Sequence, residues 1–314
     1  MGLWHIYHED IPAFLQAAAA TPPMQRLKSV GMNCGCEYTS FPLFALWQPY
    51  SRFDHSVGAA LITWHFTHDP HQAMAALLHD IATPVFSHVV DFLRGDHEKQ
   101  ESTECGTAEM ILDSSHLQAV FEQYGIEGSL VTDYHIYPIA DNDSPRLSAD
   151  RLEYTLGNIV NFGYGTEETV KKYYHDLMAA NDELVFRSPE IAVAFARDAL
   201  RCGRIYVSDA DRYCMQTLAD LLKKAVGEGR VTETDFYGTE DAVIKKLDPA
   251  DWERYCALHA LARNPQGLVI PAKKRYIDPC TTGGARASQI DPLFGEKLAA
   301  FLDYRFDYGL VAVK

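Results

Sequence analysis

His79 and Asp80 stand side by side in the stretch AALLHDIATPVFSH, residues 75–88. Its alanines and leucines are strong helix formers, so the pair is expected near the end of a helix. There an imidazole nitrogen and a carboxylate oxygen can face one ion, and that mixed donor set suits a divalent transition metal. Alone the dipeptide says little, because a chain with 13 histidines and many aspartates holds one by chance. Two flanking features add weight. Arg52-Phe53-Asp54-His55-Ser56 opens an apolar helix and offers a second imidazole in His55, and Ser148-Ala149-Asp150-Arg151-Leu152-Glu153-Tyr154 offers a second carboxylate in Asp150. Just past Pro84, His88 and Asp91 are three apart and share a helix face. A carboxylate beside an imidazole fixes its tautomer and raises its basicity.

The elements that must carry these residues read as helices. Pro84 pushes the residue before it out of helical geometry, so the helix bearing His79 is expected to stop near Ala82 and a new one to start near Val85. Residues 53–67 show an apolar face through Val57, Leu61, Trp64 and His68. Residues 146–160 form the helix of Asp150, with Tyr154 and Asn158 on the same face. Asp96 is a candidate cap for a helix that begins with His97 and runs to Leu112. Residues 1–20 read as a strand or coil and then a short helix. Residues 167–180 and 189–224 read as helices, the second open to interruption at Gly203. After about residue 266 the pattern changes, and three short strands are expected, at 268–270, 275–279 and 301–313, with the basic run Lys273-Lys274-Arg275 in a loop. The reading is a mainly α fold: a core over residues 1–185, a helical extension over 186–248 and a small α+β C-terminal region over 249–314.

Bulk composition narrows the function classes. A formal net charge of −15 repels nucleic acid and anionic membranes. No apolar run is long enough to span a bilayer, no signal peptide is recognisable, and a cytoplasmic protein is expected. The seven cysteines are scattered without zinc or disulfide spacing and read as reduced thiols. A phosphorylated substrate would need local positive charge, which draws attention to Arg52, Arg151 and Lys28.

Four stretches together resemble the HD-domain metal-dependent phosphohydrolases, and within them the deoxynucleoside triphosphate triphosphohydrolase branch: TPPMQRLK at residues 21–28, RFDHS at 52–56, HDIATPVFSH at 79–88 and DRLEY at 150–154. They span roughly residues 20–160. The resemblance implies an HD-type helical bundle holding one divalent ion (Mn²⁺, Fe²⁺, Zn²⁺, Ni²⁺ or Mg²⁺) on His55, His79, Asp80 and Asp150. Taken singly, each histidine reads better as structural; the four in family order point to a metal centre. The ion would activate a water against a phosphate ester. His88, Asp91 and His97 fall near the scissile phosphate, as proton donors or orienters. Arg52 and Arg151 fall on phosphate oxygens, Tyr154 against the sugar, and the loop 31–50 near the base. The implied substrate is a nucleotide, with neither nucleic acid nor membrane as partner and a homo-oligomer left open.

The chain departs from the family at informative places. Thr83 stands where the triphosphohydrolases carry a histidine, flanked by Ala82 and Pro84 in place of glycines. Asn158 stands where they carry an acidic residue on the sugar 3′-hydroxyl, and Met32 where they carry a base-side glutamine. These departures favour a phosphomonoesterase or phosphodiesterase on another substrate as the alternative; a metal- or nucleotide-binding module without turnover, keeping the ion but lacking the proton-transfer group, is the other.

Overall fold

The structure, a computed structural model, describes residues 2–95 and 106–313. Among them are sixteen α-helices and two small two-stranded antiparallel sheets, so the fold is mainly α as expected. His97 and the expected start of its helix lie outside the described residues; within the described ones a helix spans Thr107–Asp113, with Gly106 as its N-cap.

One helix runs through the middle. Arg52–Thr67 starts on a capping box, in which Ser51 takes the Asp54 amide and Asp54 reaches back to Ser51. From Arg52 to Thr63 every residue but Asp54 is buried, the mark of a core helix rather than a surface one. His68 and Asp69 turn the chain, Asp69 caps the next helix through the amides of His71 and Gln72, and Pro70 fills its first position. That helix, Pro70–Leu78, lies back along the central one. On another side packs Ala149–Asn161, capped by Ser148. The small residues Gly58, Ala59 and Ala60 let the neighbours come close.

The segment around Pro84 differs from the expectation. The helix stops at Leu78, and the next begins only at Val89, with His88 as its N-cap. Between them lies a run of turns, held by bonds that a helix could not offer. Thr83 Oγ1 donates to Asp80 Oδ1 at 2.6 Å, Arg26 donates to the carbonyls of Ile81 and Thr83 at 2.9 and 2.8 Å, and the Val85 amide reaches Phe236 O at 2.8 Å. Phe86 and Ser87 sit at φ 59° and 50°, a left-handed conformation that non-glycine residues adopt only where surroundings enforce it.

Four other expectations are corrected. Residues 4–7 are helical, not a strand. The helix expected over 167–180 ends at His175, and Leu177–Ala180 pairs with Glu183–Phe186 in a hairpin. Its Asn181-Asp182 turn has both φ values positive, which short polar side chains tolerate best. The long helix breaks not at Gly203 but at residues 206–208, giving Pro189–Ile205 and Asp209–Gly227, the second capped by Ser208. Gly203 has another use: a Cβ there would lie 2.8 Å from Arg275 O, so it lets the later chain lie against the helix. Near the C-terminus, the strand is Leu261–Leu268, paired with Leu310–Ala312, and Pro292–Asp303 is a helix.

Residues 269–279 are neither helix nor paired strand. They cross the helical body, burying Ile270 and Ile277 in the main core. A second apolar cluster, with Val193, Leu200, Phe294 and Phe301 among its members, fixes Pro292–Asp303 against Pro189–Ile205. Arg212 clips the crossing in place. Fully buried, it donates to Val207 O at 3.2 Å, to Ile270 O and to Asp209 Oδ1 at 2.7 Å, and it lies over Phe306.

Replacing Arg212 by Met would leave two buried carbonyls unpaired. A loss of about 2–6 kcal/mol in urea denaturation is expected, at about 1–3 kcal/mol for each unsatisfied group, with earlier proteolytic cleavage after residue 257. An unchanged midpoint would show that the crossing does not depend on the clip.

Candidate metal centre

His55 lies one turn into the central helix and is 1% exposed. Its Nδ1 is 2.7 Å from Glu153 Oε2, on the Ala149–Asn161 helix. A carboxylate there accepts the Nδ1 proton in a hydrogen bond, so Nε2 faces the other way, 3.0 Å from Asp150 Oδ1 and 3.9 Å from Asp80 Oδ2. His79, at the end of Pro70–Leu78, is fixed in the same sense: Nδ1 donates to Ala76 O at 2.7 Å. Its Nε2 lies 3.5 Å from both Asp80 Oδ2 and Asp150 Oδ1. Ligand atoms of His55, His79 and Asp80 all lie within 4.8 Å of one another, and all three residues are buried. The structure thus brings together the four residues expected to hold an ion, from three parts of the chain.

The charges favour a cation at their centre. Asp80, Asp150 and Glu153 bring three carboxylates, and Arg52 supplies one guanidinium in contact, its Nη1 3.0 Å from Asp80 Oδ2. Two negative charges remain, which a divalent ion with neutral imidazoles offsets. Proton affinities report the same demand. Burial pulls the His55 pKa down, but hydrogen bonds to Asp150 and Glu153 outweigh it and hold it at about 10. His79 is also raised, burial being outweighed by the charge of Asp80 and the bond to Asp150. Burial would raise the Asp80 carboxyl, but Arg52, His79 and His55 hold it well below its usual range. The donor set and its charge therefore fit a divalent ion; His55, His79 and Asp80, with Asp150 beside them, are the residues that would hold it.

These groups face a cavity of about 190 Å³, whose wall also includes Arg52, His88, Tyr154, Asn158, Lys273 and Arg275. Arg52 is committed to Asp80 and, through Nε, to Ser87 Oγ at 3.0 Å. His88 Nδ1 bonds Asp91 Oδ2 at 3.0 Å, and its Nε2 takes a bond from Arg275 Nη2 at 3.1 Å. Burial lowers the His88 pKa to about 4, the Asp91 bond opposing it and the Arg275 charge adding to it. His88 is therefore a neutral acceptor, and Asp91, fully buried, orients it. Asn158 donates to the Tyr206 hydroxyl at 2.8 Å, while its Oδ1 is buried with no hydrogen-bond partner among the described residues. Tyr154 lies beside His55, their rings 6.3 Å apart.

Arg151 is not brought to the cavity lining. It turns to the 141–144 loop, donating to Asn142 Oδ1 at 2.7 Å and to Asp141 Oδ1 at 3.3 Å. The residue next to Asp150 on a helix points about 100° away from it. Thr83, at the family's histidine position, is fully buried and holds Asp80 instead. Sequence reasoning missed Lys273, Arg275 and Glu153. The basic triplet in an acidic chain was a signal for the first two; Glu153, three residues after Asp150, was one for the third.

No protein-family model matches the chain. Over 291 residues, 87% of this chain and 82% of the relative, it is 28% identical to metal-dependent phosphohydrolase cns2 of Cordyceps militaris. The chain is similar to a metal-dependent phosphohydrolase. It is also 23% identical over 250 residues to the uncharacterized protein YdhJ of Bacillus subtilis, covering 79% of this chain and 75% of that one. Two solved structures share its fold. A hypothetical protein from Aquifex aeolicus aligns with a TM-score of 0.59 at 18% identity, over 91% of this chain and 89% of its own. A phosphohydrolase from Bacteroides thetaiotaomicron aligns with a TM-score of 0.51 at 19% identity, over 79% and 67%. No helix among the described residues is long and apolar enough to cross a membrane.

The His88 environment predicts a pH dependence. The imidazole titrates near 6.5 when unfolded and about 4 when folded, so the unfolded chain binds more protons between those values. That contribution to stability is lost as pH falls from 6.5 towards 4. His88→Gln, which keeps a donor and an acceptor but does not titrate, is expected to show a shallower fall in this window by denaturant titration. Parallel curves for the two proteins would contradict the neutral assignment.

Proposed function

We propose that this chain is a metal-dependent phosphohydrolase acting on a small phosphorylated substrate, with a nucleotide as the favoured class. The observation that carries the reading is the convergence of the His55 and His79 Nε2 atoms with Asp80 and Asp150 on a cavity that also holds basic side chains. The named relative and the shared fold support it.

A divalent ion bound there supplies Lewis acidity to a phosphoryl oxygen and acidifies a water. The chain's own groups do the rest. Lys273 and Arg275 bring positive charge to a dianionic phosphate inside a strongly acidic protein. His88 takes a bond from the Arg275 guanidinium and so aims it, while Arg52 fixes Asp80 and lowers its proton affinity. His88 thus orients a cation; donating a proton to a leaving group does not suit a group titrating near 4. Further along the wall, Trp47 and Phe162 stack at 4.7 Å and 26°, and Tyr206 and Tyr154 continue the aromatic surface. Flat faces of this kind suit a ring, and Asn158 Oδ1 can accept from a substrate hydroxyl.

A second reading, a phosphomonoester or diester in place of a triphosphate, is favoured by Arg151, whose guanidinium is spent on the 141–144 loop rather than on the cavity. Fewer cations at the wall fit a phosphate of lower charge.

A panel of nucleoside mono-, di- and triphosphates and simple phosphate esters, assayed with Mn²⁺ for phosphate, pyrophosphate and tripolyphosphate, separates these readings. Turnover by the wild type and none by Asp80→Ala is expected. Arg275→Ala should lose roughly 10²-fold in kcat/KM, the usual scale for one charge-stabilising donor. Hydrolysis that survives Asp80→Ala would contradict the mechanism, and tight nucleotide binding without any turnover would favour a binding module.

A further inference from the structure

Glu153 is 2% exposed, and its Oε2 accepts from both His55 Nδ1 and the Tyr50 hydroxyl. Neither is a lysine or arginine. A carboxylate buried in this way is costly unless its charge is answered nearby. It stands one helical turn after Asp150, so the same helix carries a candidate ligand and the group behind another ligand.

The backbone is shaped around it. A Cβ at Gly58 would lie 2.5 Å from Glu153 Oε1 and 2.6 Å from its Cγ. Gly58 is three residues after His55 on the central helix, so the helix that carries the imidazole also leaves room for the carboxylate. A Cβ at Gly157 would lie 3.0 Å from Tyr50 Oη, on the other side of the same hydrogen bond. Two glycines in helix interiors each cost about 1 kcal/mol relative to alanine. Here both stand where the Tyr50–Glu153–His55 relay passes between helices. His79 has no such support: its Nδ1 donates to a neutral main-chain carbonyl.

We infer that Glu153, backed by Tyr50, is a positioning residue for the metal centre: it accepts the Nδ1 hydrogen of His55, fixes the tautomer and aims Nε2 at the ion. This rests on the metal reading above. Of the two imidazoles, His55 is then the better donor, since a carboxylate behind a ligating histidine raises its basicity and such partners are worth about 10–100-fold in affinity.

The test is calorimetric titration of Mn²⁺ into the full chain after removal of divalent ions, with wild type, Glu153→Gln and Tyr50→Phe. Circular dichroism and melting of the ion-free proteins are recorded alongside. Glu153→Gln is expected to stay folded and to weaken the Mn²⁺ Kd about 10–100-fold, with a smaller rise in melting temperature on adding the ion. Tyr50→Phe is expected to shift Kd in the same direction by less. A purely structural Glu153 would lower the ion-free melting temperature and leave the Kd of the folded molecules at the wild-type value, and that result overturns the inference. Should Glu153→Gln not fold, Tyr50→Phe decides: a wild-type Kd overturns the inference and a weakened one at unchanged melting supports it. Absence of Mn²⁺ binding by the wild type is a different failure, of the metal centre itself.

Discussion

Both imidazoles of this site are held from behind. Glu153 takes one Nδ1 and the Ala76 carbonyl takes the other, and each tether forces the remaining nitrogen lone pair toward the same point between Asp80 and Asp150. In a buried setting that arrangement is unstable without a cation, because two carboxylates and two lone pairs face one another and, among the described residues, Arg52 alone is in ion-pair contact to offset them. The proton affinities pushed up at His55 and His79 are the response of the chain alone to that field. A divalent ion answers it more fully and leaves the imidazoles neutral, the form in which histidine binds metals.

The rest of the fold can be understood as what keeps that point fixed. The central helix is buried over its first three turns apart from Asp54, so His55 does not move with the surface. The turns after His79 replace helix hydrogen bonds by side-chain ones: Thr83 and Arg52 each take one oxygen of Asp80, and Arg26 ties the carbonyls beside it. The two left-handed residues, Phe86 and Ser87, then return the chain so that His88 faces the same cavity. The C-terminal region contributes a crossing segment, clipped by Arg212 and admitted by Gly203, that carries Lys273 and Arg275 to the wall.

Much of this was legible in the chain. His55, His79, Asp80 and Asp150 stood out as a set because they follow the order and wording of a known family; singly, each histidine read better as structural. The helical character followed from periodicity. What failed was non-local. Arg275 reaches His88 from 187 positions away along an extended segment with no periodicity, so its run of basic residues looked like a loop between strands. Arg151 looked like a phosphate ligand because it adjoins Asp150, but neighbours on a helix face apart, and the 141–144 loop offered it acceptors. The Asn181-Asp182 turn was a hairpin signal just past the expected 167–180 helix, whose last residues are in fact the hairpin's first strand. Glu153 was visible as a letter in a motif, while its role depends on Gly58 from another helix.

Anomalous diffraction from crystals soaked in Mn²⁺ probes the convergence most directly. The expected result is one ion bonded to Nε2 of His55 and of His79 and to carboxylate oxygens of Asp80 and Asp150. An ion bonded elsewhere in the cavity, or none at this point under saturating Mn²⁺, would contradict it.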